Sequence, residues 1–215
     1  NPESAGLPVT VVAVNKQMNL ELDTFASLEA QVAALADDIA YNNHDVEDGL
    51  RANLFTLDNL RAVPLLKDII PQVEKAYPDI TQKVMMHEVI REMIGAMVTD
   101  VLDETRRRLK ILNPQSPDDI RHADHAMVAF SEEMLPKIEA LREFLWANMY
   151  RHSVVRRMRM KVSRIVKDLY DAFMNEYGLL PDEWQAEIVN RGADKPERIV
   201  DRARIVADYI AGMTD

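Results

Sequence analysis

The chain contains no cysteine in its 215 residues. A disulfide framework and thiolate zinc sites are therefore excluded, and the composition fits a cytoplasmic protein. Glycine is scarce, at 6 residues, and β-branched residues seldom alternate with polar ones, so the punctuation and period-two pattern of a sheet protein are missing. No apolar stretch approaches the ~20 residues that span a bilayer. Asn1-Pro2-Glu3 with the short run Leu7 to Val14 lacks the form of a secretory leader. Positive charge is also in deficit. A formal net charge of -10 argues against the whole chain coating nucleic acid or an anionic membrane, although a local basic patch stays compatible with it.

What is present has the balance of a globular protein, with 47% hydrophobic and 29% charged residues. Helical spacing dominates, so the expected fold class is all-α. Residues 8–14 read as a short strand or extended lead-in. A long helix follows from Ser27, an N-cap, to Asp48, with Gly49 as its stop. Pro64, Pro71 and Pro78 divide residues 51–80 into pieces such as 57–62 and 65–70. A second long helix spans about Thr81 to Leu112. Ser116-Pro117-Asp118-Asp119 restarts the pattern with a cap, a first-turn proline and two acids, and that helix is expected to run to about His152, bent near Pro136. Further helices cover about 154–177, 181–190 and 196–213. The chain does not begin with Met and stops inside a helical pattern, so both ends read as cut from a longer protein.

On a wheel, Leu28, Val32, Leu35, Ile39 and Val46 share one face of the first long helix, the expected core stripe. Opposite lie Asp37, Tyr41, His44, Asp45 and Asp48 within an arc of about 100°, continued toward the N-terminus by Ala30, Ala33 and Ala34. An acidic arc opposite a core stripe is ordinarily a solvated face. Here, however, no Lys or Arg occurs between Ser27 and Leu50, and the alanine end suits close packing by another element. Crowded carboxylates without cations repel one another, a conflict that a divalent cation resolves. A functional face is the better reading.

The segment from Ser27 to Arg51, with Asp37-Asp38 and Tyr41-Asn42-Asn43-His44-Asp45, closely resembles the signature of the bacterial deoxyguanosine triphosphate triphosphohydrolase-like family. The resemblance continues at Leu141-Arg142-Glu143-Phe144-Leu145 through Met149-Tyr150-Arg151-His152, and returns at Asp208-Tyr209-Ile210-Ala211-Gly212-Met213-Thr214-Asp215. Three segments in order along the chain are more specific than one short motif. The resemblance implies the C-terminal part of a larger all-helical HD-domain enzyme. Residues 1–50 would end the catalytic core, and 51–215 would complete the substrate pocket and the oligomer contacts. It implies hydrolysis of a dNTP to deoxynucleoside and triphosphate, with Mg²⁺ or Mn²⁺ as cofactor. Asp37 would be the last of four metal ligands, with Asp38 beside it as a supporting acid. Tyr41 and Asp45 match positions contacting the sugar and phosphates of the substrate. Arg142, Tyr150 and His152 match a second group of substrate-binding positions. A homo-oligomer, in some members a hexamer, and a regulatory dNTP are further implications.

The other three metal ligands are expected upstream of Asn1. His44-Asp45 follows Asp37 on the same helix and is out of order for the missing doublet. His122 and His125 have a ligand-like i, i+3 spacing, but two histidines without further ligands are ordinarily structural. One carboxylate cannot hold a divalent ion and orient water, so the fragment alone is expected to be inactive, with no catalytic residue of its own. Arg151, Arg156, Arg157, Arg159, Lys161, Arg164 and Lys167 form a run without an acid, and Arg106-Arg107-Arg108 with Lys110 form another. Such runs are ordinarily solvated faces; triphosphate binding and, secondarily, nucleic-acid binding are the functional alternatives. The 12 methionines, Trp146 and Trp184 read as packing. The rival reading, from another class, is a non-catalytic helical module for oligomerisation, regulation or nucleic-acid binding.

Overall fold

A computed structural model describes residues 6–213 as helices and connections, with no strand among the described residues. Helix α1 (Val9–Gln17) occupies the stretch expected to be extended. Pro8 is its N-cap, where the fixed φ of proline suits helix entry. Helix α2 (Leu28–Arg51) begins at Ser27, whose side chain accepts from the Ala30 N–H. It passes through Gly49 rather than stopping there. Gly49 answers a steric need instead, because a Cβ at that position would run into the Phe55 ring.

Helices α3 (Leu57–Leu60) and α4 (Leu66–Ala76) follow. Pro71 lies inside α4 rather than dividing it. The loss of one backbone N–H is tolerated because Leu66, Ile70 and Val73 bury a full face on either side of it. Helix α5 (Gln82–Leu112) matches its expected extent, opening at the Thr81 cap and closing at Asn113 in the left-handed region.

The helix expected over 117–152 is instead three elements. Helix α6 (Pro117–Arg121) has a full capping box between Ser116 and Asp119 but ends after five residues. Residues between it and α7 (Leu135–Leu145) are tied down by distant partners. Gln31 Oε1 accepts from the Met127 and Val128 N–H groups at 2.8 and 3.1 Å, and Asp100 accepts from the Ser131 N–H and hydroxyl at 2.8 and 2.6 Å. These tertiary bonds satisfy the backbone without a helix. A π-helical turn, Trp146–Tyr150, extends α7.

The chain divides into two compact units at Tyr150/Arg151. In the first, α5 packs against α2 and α4, and α7 against α2. Ile39, Val46, Leu66, Ile70, Val89, Met93, Met97, Ile138, Leu141 and Leu145 form its core. Met93 and Met97 confirm the packing role read for methionine, whereas Met158 and Met160 are exposed and Trp146 is more than half exposed. Val32, expected in the core stripe of α2, is also exposed; burial on that helix begins at Ile39. The second unit comprises α8 (Ser153–Asn175), α9 (Asp182–Asn190) and α10 (Ile199–Ala211). Phe173, Leu180, Ile188, Ala193, Ile205 and Val206 make a separate small core, with Trp184 and Tyr209 rings in edge contact beside it.

Candidate functional site

Helix α2 carries Asp38, Tyr41, Asn42 and Asp45 at i, i+3, i+4 and i+7, a spacing that puts all four on one face. Helix α7 and its π-helical turn bring Arg142, Leu145 and Tyr150 against that face. In an unbroken α-helix, Arg142 and Tyr150 would diverge by about 80°. The π turn accommodates one extra residue, so their separation counts as about seven, two full turns, and both point the same way. The seven residues line a cavity of about 300 Å³.

The Tyr150 hydroxyl donates to Asp45 Oδ2 and lies 3.1 Å from the Tyr41 hydroxyl. Partial burial, then the Asp45 carboxylate and the Tyr41 hydroxyl, push the Tyr150 phenol above the ordinary tyrosine range. The phenol therefore stays protonated and acts as a donor. Arg142 is held more loosely. Its Nη2 lies 3.4 Å from Asp38 Oδ2 and its Nε 3.4 Å from Asn42 Oδ1, longer than charge-assisted bonds of full strength. The half-exposed guanidinium keeps donors free for an anion. Asn42 is buried and anchored through its own amide to the Asp38 carbonyl at 2.8 Å.

Of the residues singled out in the sequence, Tyr41, Asp45, Arg142 and Tyr150 meet at this cavity. His152 does not belong to the same compact unit. It is the N-cap of α8, its ring accepting from the Val154 N–H. Asp37 is exposed on α2 and does not line the cavity. No group of three or more metal-binding side chains occurs among the described residues, so those residues do not make up a complete metal site. His122 caps α6, its ring bonded to the Asp118 carbonyl oxygen, and His125 pairs with Asp124.

Three wall residues, Asp38, Asn42 and Leu145, are not among those expected to bind substrate. Asp38 is expected only as support for Asp37, although the i, i+4 spacing of Asp38 and Asn42 puts the two on one face. The alanine strip of α2 is exposed. The arginine run at 106–108 is partly structural: Arg107 and Arg108 both bind the buried Glu104, at 2.7 and 2.6 Å. No ion pair forms at the run from Arg151 to Lys167 among the described residues.

A family model described as a phosphohydrolase-associated domain matches residues 128–215. The chain is also similar to proteins named deoxyguanosinetriphosphate triphosphohydrolase-like. That of Caulobacter sp. (strain K31) is 49% identical over 199 residues, 93% of this chain and 49% of the relative. That of Parvibaculum lavamentivorans is 46% identical over 211 residues, 98% of this chain and 52% of the relative. That of Ruegeria sp. (strain TM1040) is 42% identical over 214 residues, 100% of this chain and 55% of the relative. The chain thus spans about half the length of the curated relatives it matches. No helix among the described residues is long and apolar enough to cross a membrane.

Proposed function

Because this chain belongs to the deoxyguanosinetriphosphate triphosphohydrolase-like family, we propose that it forms the substrate-holding half of a hydrolase that cleaves dNTPs to deoxynucleoside and triphosphate. The observation that carries this reading is the convergence of Tyr41, Asp45, Arg142 and Tyr150 on one cavity from two helices. Protonated Tyr150 and the Asp45 carboxylate present a donor and an acceptor side by side, a match for a sugar hydroxyl. Arg142, loosely held by Asp38 and Asn42, swings its free donors onto phosphate oxygens. Tyr41, 60% exposed, offers its ring to the face of the sugar.

Asp37 would supply one carboxylate to a divalent ion, Mg²⁺ or Mn²⁺, and would need further ligands beside it, since the described residues hold no group of three or more metal-binding side chains. Such an ion lowers the pKa of bound water and offsets charge on the phosphate. The chain by itself therefore binds nucleotide without turning it over.

The test is triphosphate release from each dNTP, with Mg²⁺ or Mn²⁺, by the longer polypeptide that contains this chain. Arg142→Gln is expected to raise KM about tenfold or more, the effect of losing one charged phosphate contact. Asp37→Ala is expected to lower kcat by at least about 100-fold, as loss of a metal ligand should. Full activity in Asp37→Ala would remove the metal assignment, and an unchanged KM in Arg142→Gln would remove the pocket assignment.

A further inference from the structure

Helix α2 buries two consecutive asparagines, Asn42 at 3% and Asn43 at 2% exposure. Asparagine is an indifferent helix former, and a buried amide costs free energy unless its polar atoms are paired. Both side chains donate through Nδ2 to the carbonyl four residues earlier, Asn42 to Asp38 at 2.8 Å and Asn43 to Ile39 at 2.7 Å. They differ at the amide oxygen. Asn43 Oδ1 has no partner among the described residues, whereas Asn42 Oδ1 accepts from Arg142 Nε at 3.4 Å. Burial and the bond to the Asp38 carbonyl hold the Asn42 amide in place, so its oxygen is a fixed acceptor in the cavity wall.

A guanidinium fork donates paired hydrogen bonds from two edges. The side edge is Nε with Nη2, and the end edge is Nη1 with Nη2. Helix α2 takes the side edge of Arg142: Asn42 faces Nε, and Asp38 Oδ2 lies 3.4 Å from Nη2. Neither contact uses Nη1.

The two partners are not equivalent. The Asp38 side chain is 59% exposed, so water competes for it and its pull on Arg142 is screened. The Asn42 amide is buried and carries no net charge. It orients the guanidinium without neutralising it, where a carboxylate at the same place would compete with an incoming anion for that charge.

We propose that Asn42 is the positioning residue for Arg142. By holding Nε from the α2 side it occupies the side edge of the fork, and the end edge, Nη1 with Nη2, becomes the one presented to phosphate oxygens. The inference rests on the reading of Arg142 as the phosphate-binding residue and adds the residue that aims it.

The test is a double-mutant cycle on the longer polypeptide that contains this chain, read by steady-state kinetics with a dNTP and Mg²⁺ or Mn²⁺. Arg142→Lys keeps the positive charge but replaces the fork with a point charge whose donors rotate, so no edge is left to aim. Asn42→Leu removes the acceptor. Asn42→Ser keeps a hydroxyl that can bond back to the Asp38 carbonyl but is too short to reach Arg142. With Arg142 in place, each variant is expected to raise KM at least about fivefold, and KM should carry more of the loss in kcat/KM than kcat does. In the Arg142→Lys background the same changes should raise KM less than about twofold. A residue that only supports the fold would move KM equally in both backgrounds. That result, or an unchanged KM in either Asn42 variant with Arg142 in place, would overturn the proposal and leave Arg142 its phosphate role. An unchanged KM in Arg142→Gln would remove the phosphate role, and the positioning of Asn42 with it.

Discussion

Glu104 shows how far one residue's surroundings can carry it from ordinary behaviour. It is buried on α5 and accepts three hydrogen bonds, two from Arg107 and one from Arg108, all between 2.6 and 2.8 Å. Arg108 also donates to the Ala126 carbonyl at 2.8 Å, which ties α5 to the connection before α7. The Arg107 hydrogen bonds, opposed by burial and aided by Arg108, hold the Glu104 carboxyl down to about 2. A carboxyl lowered on folding stabilises the protein above its unfolded pKa, near 4.5, and that contribution is lost as pH falls toward 2. Glu104→Gln is therefore expected to destabilise the protein by on the order of 2 kcal/mol at pH 7. It should also flatten the stability profile between pH 5 and 2, about the window set by the two pKa values. Denaturant melts of both proteins across that range check it; parallel profiles would show that Glu104 carries no linked proton.

At the scale of elements, Gly49 separates two kinds of glycine reading. As a local signal after Asp48 it marks a helix stop. In the fold, α2 runs on to Arg51 and the glycine admits the Phe55 ring, which itself meets Phe144 of α7 edge-on at 5.1 Å. Gly49→Ala raises helix propensity but forces that ring aside, and overpacking of this kind costs about 1–3 kcal/mol. A lowered melting temperature is expected, and Gly49→Ala with Phe55→Leu should recover part of the loss. A more stable Gly49→Ala would mean that propensity alone governs the position. The same contrast explains what the sequence disclosed. Caps at Ser27 and Ser116 are local chemistry, and each was legible. The breaking of 117–152 into pieces was not, because Gln31 and Asp100 hold it from 96 and 31 residues away. For the cavity, helical spacing put Tyr41 and Asp45 on one arc with Asp37, His44 and Asp48, which do not line it, and only family resemblance singled out the two as substrate-binding. Arg142 and Tyr150 came only through family resemblance, since the π turn that aligns them leaves no periodic trace.

The whole molecule contains two cores that share no residue, one built around α2, α4, α5 and α7 and one around α8, α9 and α10. Cooperative opening follows buried apolar contact, so each core should govern the exchange of its own backbone amides. Leu141 and Ile188 are both fully buried, one in each core, and truncation of either to Ala removes about 2–5 kcal/mol. Leu141→Ala is expected to lower hydrogen-exchange protection across α2, α5 and α7, and with it the order of the cavity formed by Tyr41, Asp45, Arg142 and Tyr150. Ile188→Ala should lower protection in α8, α9 and α10 while the Tyr41 and Asp45 amides keep theirs. The comparison also bears on nucleotide binding, because all seven cavity residues rest on the first core. Binding to the isolated chain should survive Ile188→Ala within about twofold, a loss below about 0.4 kcal/mol, and fall with Leu141→Ala in step with lost protection. Equal loss of protection in both units after Ile188→Ala would mean that the chain opens as one cooperative body, and the cavity would then depend on residues far outside its own core.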